Sequence, residues 1–132
     1  MLFGSTIVLT PQGVDLGASP SRIVLDEPIE AISAGAHIMI DITRFIKSTN
    51  VIDGLNEVDA IFPKGCVTAS LISDSSKILL DDSYGGWGGE DSVRLNLSSQ
   101  MGIPVDVQFT AIEISSCVDI KLAIILWHNY SL

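Results

Sequence analysis

The sequence predicts an all-β fold: an antiparallel β-sandwich of about eight strands, jelly-roll-like or a Greek-key variant. Three observations point there. Short segments alternating apolar with polar residues, rich in Val, Ile and Thr, recur along all 132 residues. Clusters of Gly, Pro, Ser, Asn and Asp separate them at short intervals. Helical spacing of apolar residues is rare, so parallel strands joined by helical crossovers are not expected. No repeat or linker divides the chain, and residues 1–132 read as a single domain.

The segments follow in order. "STIVLT" reads as the first strand, ended by the turn "TPQG". "RIVL" and "PIEAIS" follow around the acidic turn "DEP", and "AHIMIDIT" comes after "SAGA". "DITRFIKSTN" is the one helical candidate, a turn or so, because Ile42, Phe45 and Ile46 have helical spacing. "IDGLNE" reads as a turn and "VDAIF" as a strand before the turn "FPKG". "CVTASLI", "KILL" and "SVRLNLS" are further strands. In "PVDVQFTAIEIS" the apolar phase changes from Val105, Val107 and Phe109 to Ile112 and Ile114. Such a slip near Thr110–Ala111 predicts a β-bulge or a strand that crosses between sheets. The final strand, "VDIKLAIILWHN", alternates and then becomes apolar on both faces at "AIILW". That stretch is expected to be central in the sandwich or part of an interface between copies.

Composition restricts function. Sixteen acids against seven bases give a net charge of −9, with no cluster of Lys or Arg, so neither nucleic acid nor an acidic lipid surface is an expected partner. Hydrophobic residues make up 47% and mean hydropathy is +0.45, which predicts apolar surface buried in a homo-oligomer or against a partner. No apolar run is long enough for a membrane helix, and the N-terminus has no basic region followed by a long apolar one. A cytoplasmic location, or export without a classical signal peptide, is the expectation. Strand phase puts Cys66 with Thr68 and Ser70, and Cys117 with Asp119 and Lys121, on faces away from the core. That argues against a buried disulfide between sheets and predicts reduced, free thiols.

The outlying stretch is "DDSYGGWGGED" at residues 81–91, read as an acidic glycine and aromatic loop. Asp81, Asp82, Glu90 and Asp91 flank it, and a hairpin would bring the four carboxylates together as oxygen ligands for calcium. Tyr84 and Trp87 offer aromatic faces beside Asp82 and Glu90, a combination suited to a sugar or a protein ligand. The plainer alternatives are a solvated acidic loop and a Trp87 folded back to plug the sandwich. His37 falls on the solvent phase of its strand and His128 follows Trp127, with no nucleophile or metal motif around either. The expectation is therefore a non-catalytic recognition module, with carbohydrate or protein as ligand. The alternative is a structural or assembly subunit, such as a phage or viral accessory protein or a protein-neutralising partner, acting through "KILL" and "AIILW". An enzyme with paired carboxylates ranks last. The sequons at Asn96 and Asn129 carry no weight of their own.

Overall fold

In this computed structural model the described residues are 3–80, 82–87 and 92–131, with side chains described for all of these except 3, 82–84, 87, 130 and 131. Among them are eleven strands and one α-helix. The strands are β1 (Phe3–Val8), β2 (Val14–Leu16), β3 (Ser21–Glu30), β4 (His37–Asp41), β5 (Val67–Ile72), β6 (Lys77–Leu80), β7 (Asp82–Trp87), β8 (Val93–Ser98), β9 (Gln108–Ser116), β10 (Ile120–Ala123) and β11 (Ile125–Ser131). The helix α1 spans Val51–Ile61, and a single 3-10 turn covers Thr43–Phe45.

A five-stranded sheet has the order β1-β11-β4-β8-β7 and a four-stranded sheet the order β3-β9-β5-β6, with β2 and β10 pairing separately. Every strand pairing is antiparallel. Setting aside β2, β7 and β10 leaves eight strands, and in chain order one sheet holds the first, eighth, third and sixth, the other the second, seventh, fourth and fifth. That is the jelly-roll connection of two interleaved Greek keys. The expected all-β sandwich is what the chain forms, and it is not a closed barrel.

Alternation explains the core. On β8 the inward residues Val93, Leu95 and Leu97 are buried while Arg94, Asn96 and Ser98 are not fully so. They meet Ile38 and Ile40 of β4, Ile125 and Trp127 of β11, and from the other sheet Leu71, Phe109, Ile112 and Ile114. Each side chain of this size removed from water contributes about 1.5–3 kcal/mol, which is why the strand phase is fixed so firmly.

Two irregularities differ from expectation. The phase change in β9 is real, but β9 stays in one sheet between β3 and β5. The extra residues lie on β3, where Val24 pairs with Ala111 and Ile29 with Phe109, so Leu25, Asp26, Glu27 and Pro28 bow out. The change of sheet occurs instead in the final strand. β10 pairs with β2, the chain breaks at Ile124, and β11 continues in the five-stranded sheet between β1 and β4. Thr10 bridges the break: its hydroxyl donates to Ala123 O at 3.1 Å and accepts from Ile125 N–H at 2.9 Å. The double-sided apolar stretch is thus central, as one of its two readings required.

The helix is where the sequence reading fails most clearly, because "IDGLNE" and "VDAIF" together form α1. Asn50 caps it, accepting the Asp53 N–H at 2.9 Å and donating from its amide to the Asp53 carboxylate at 2.8 Å. Val51, Leu55, Val58 and Phe62 then recur at helical spacing, and Pro63 follows the end. Glu57 accepts from the backbone N–H of Lys47 and Ser48 and from the Ser48 hydroxyl, which pins the preceding segment to the helix. The Ser48 hydroxyl, more than any other group, holds the Glu57 carboxyl below its ordinary pKa.

The expectation of reduced thiols is also overturned: Cys66 and Cys117 form a disulfide, with their Cα atoms 4.9 Å apart. Val67 pairs with Ser116 on β5 and β9, so the two cysteines are the next rung of the same ladder, and Cys117 N–H donates to Cys66 O at 2.9 Å. The phase argument correctly excluded a bond between sheets. The bond lies within one sheet, joining the ends of neighbouring strands, and Cys66 is buried in the core where the phase had placed it facing away.

Candidate functional site

Residues 81–91 do not form a loop throughout. Asp82–Trp87 is a strand, β7, at the edge of the five-stranded sheet, with Asp82 in register opposite Ser98, Tyr84 opposite Asn96 and Trp87 opposite Val93. Gly85 serves packing. A Cβ on Gly85 would stand 2.7 Å from Val58 Cγ1, so α1 can lie against this edge only because Gly85 has no side chain. Asp81, Glu90 and Asp91 lie outside the described residues, as do the side chains of Asp82, Tyr84 and Trp87. Among the described residues no three His, Cys, Asp or Glu side chains stand close enough to hold a metal ion.

The outer face of the five-stranded sheet carries a second cluster. His37 shares this face with Met39, as the alternation predicted, yet only 9% of its surface is exposed. Its ring centroid lies 5.1 Å from that of His128 on the neighbouring β11. The Thr6 hydroxyl meets His128 Nδ1 at 2.7 Å, and His37 Nδ1 meets Gly35 O at 3.0 Å. On the far side, Arg94 reaches the Met39 sulfur at 3.9 Å and keeps its Nε buried without a hydrogen-bond partner. Burial first, then the nearby His37 and Arg94, pushes the His128 pKa below its ordinary value. Gly4 allows the arrangement: a Cβ there would lie 2.7 Å from His128 Cε1. The cluster holds β1, β11 and β4 together from outside.

The outer face of the four-stranded sheet is polar. Glu113 receives Arg22 at 2.9 Å and Lys77 at 3.2 Å, and Lys77 above all holds its carboxyl below the usual range. Thr68 and Ser115 hydroxyls meet at 3.1 Å nearby, over a shallow hollow of about 150 Å³. The hollow is too small and too open for a drug-sized ligand.

A groove with an apolar wall lies where the two sheets end side by side. β1 and β3 are the edge strands of their sheets on this flank, and between them runs a groove of about 370 Å³. Ile7, Leu9, Leu25 and Ile29 line it, with Asp26 and Glu27 also at its wall. Ile7 and Val8 are each 49% exposed, although Ile7 pairs with the buried Trp127. At the end of the flank Asn129 acts as a peptide mimic: its Oδ1 accepts Ile32 N–H and its Nδ2 donates to Glu30 O, both at 2.8 Å. Its amide is therefore committed to the fold. The sequence did carry a signal for this flank, since no charged residue precedes Asp15. A strand without charge is either fully covered or unguarded, and alternation alone does not tell which.

Comparison of the chain with family models, with curated proteins and with solved structures gives no match in any of the three.

Proposed function

We propose that this chain is a non-catalytic jelly-roll subunit that works by protein–protein contact, as an assembly or recognition module, through the flank formed by β1 and β3. The observation that carries the reading is an uncharged edge strand with Ile7 and Val8 half-exposed beside an apolar groove. Exposed apolar surface of this kind costs solubility unless something binds it. The high apolar content of the chain agrees with such a contact. Jelly rolls serve capsids, lectins and small-molecule enzymes alike, so the fold adds nothing to the choice. The alternative is carbohydrate binding by Tyr84, Trp87, Asp82 and Glu90, with calcium held by Asp81, Asp82, Glu90 and Asp91.

The test is site-specific photo-cross-linking in extracts of the native source. A photoreactive residue replaces Ile7 in one variant and Leu79, which is similarly exposed on β6, in another. Adducts at position 7 that disappear when Val8→Lys is added, with none at position 79, are the expected result. Equal labelling at both positions, or none at position 7, overturns the reading and returns weight to the sugar site, which a glycan array in calcium and in EDTA would then probe.

A further inference from the structure

We propose that the β1 edge accepts an extended, basic segment of a partner protein as an added strand; this rests on the protein-contact reading above and names the occupant of the flank. The backbone supplies the first reason. Leu9 N–H donates to Ile125 O, so by alternation Phe3, Ser5 and Ile7 also turn their polar groups toward β11. Gly4, Thr6 and Val8 therefore present their N–H and C=O groups on the open side, where β1 has no neighbouring strand among the described residues. Such a row is the template used in strand addition.

The other edges show that this openness is specific. β3 is broken by its bow and by Pro28, which lacks an N–H. β6 has only four residues and starts with Lys77. β7 lies against α1, with Val58 packed over Gly85. Proline, charge, shortness and cover are the devices that keep edges from pairing, and each of those strands has at least one. β1 keeps an unbroken six-residue register with β11 and carries no proline and no charge.

Side chains give the rest. Alternate residues of an incoming strand would face the groove, where Ile7, Leu25 and Ile29 offer an apolar wall. Asp26 and Glu27 stand at that wall, and no Lys or Arg lines it. A second copy is the poorer occupant. Pairing β1 with its own copy would bring both Asp26–Glu27 pairs, on chains of charge −9, to one seam. Lys or Arg on the polar phase of the added strand answers those carboxylates.

Two sets of short synthetic peptides test this on the whole chain by fluorescence anisotropy. Both alternate Val, Ile or Tyr with polar residues, basic in one set and acidic in the other, and a third set repeats the basic peptides with alternate backbone nitrogens methylated. The expected result is binding of basic peptides about tenfold tighter than acidic ones, weakened by salt. Methylation should abolish it. Val8→Pro should also abolish it, since the lost N–H faces away from β11 and the change leaves the fold intact by circular dichroism. Asp26→Asn with Glu27→Gln should bring the two sets toward equal affinity. Equal binding of basic and methylated peptides, or of basic and acidic ones, overturns the inference. So does peptide silence: with self-association in the ultracentrifuge that Val8→Pro removes, the occupant is a second copy and the contact reading survives. Silence with neither self-association nor cross-linking at position 7 ends both.

Discussion

The five-stranded sheet ends in two different ways. At β7 the edge is glycine-rich, and the missing Cβ of Gly85 lets Val58 of α1 settle against it, burying Val58 almost completely. At β1 the edge has one glycine, Gly4, followed by Ser, Thr, Ile and Val, and Ile7 and Val8 remain half in water. The strand that looks unusual in sequence is the one the fold has closed with its own helix. The strand that looks ordinary is the one left open. Unusual composition here marks a close approach inside the molecule, whereas the open edge is signalled by what is missing, namely charge and proline.

The strongest test asks whether both edges belong to one cooperative core. Removing the disulfide with Cys66→Ala and Cys117→Ala frees a loop with a sequence separation of 51, which should lower stability by about 4 kcal/mol on the chain-entropy account. Urea unfolding followed by far-UV circular dichroism and by tryptophan fluorescence should still give coincident transitions. Separate transitions would mean that the open and closed flanks unfold independently. Next, Gly85→Leu should cost about 1–3 kcal/mol, because the new side chain must push Val58 away. A neutral result in the same denaturant assay would show that α1 does not close this edge.

A smaller effect is expected from pH at the joint between β1 and β11. The folded pKa of His128 lies below the ordinary value of 6.5, so the unfolded chain takes up this proton first as pH falls. The stability owed to the neutral ring is complete above 6.5 and declines as pH drops through the depressed value. His128→Gln should flatten that part of the stability–pH curve, and an unchanged slope would exclude His128 as its source. Smallest of all, Val8→Lys at the open edge should move stability by no more than about 0.5 kcal/mol in urea, since its side chain is half in water. A loss as large as that at Gly85 would mean that the edge is closed by something within the chain.

The sandwich was legible because alternation is a direct record of which face is buried. Val93, Leu95 and Leu97 on β8 show it without ambiguity. The jelly-roll order itself was only one of two options, since alternation says nothing about which strands are neighbours. The helix was hidden by Gly54 and its acidic neighbours, which resemble a turn until Asn50 is seen capping them and Leu55 and Val58 are counted at helical spacing. Both cysteines were placed away from the core, yet Cys66 is buried in it, and only the register of β5 against β9 shows that the two meet. For the site, "YGGW" drew notice by composition while "STIVL" did not, because edge position is a property of topology and not of any residue.

The Cys66–Cys117 bond has one more consequence. β5 and β9 are partners, yet between them the chain leaves for the other sheet to lay down β7 and β8 before returning. The two thiols meet when β9 returns to pair with β5, across a sequence separation of 51. Contacts so distant along the chain are slow to form. A pulse of alkylating reagent during oxidative refolding would therefore mark every chain in which β5 and β9 have yet to meet, and the bond would act as a clock for that long-range step of assembly.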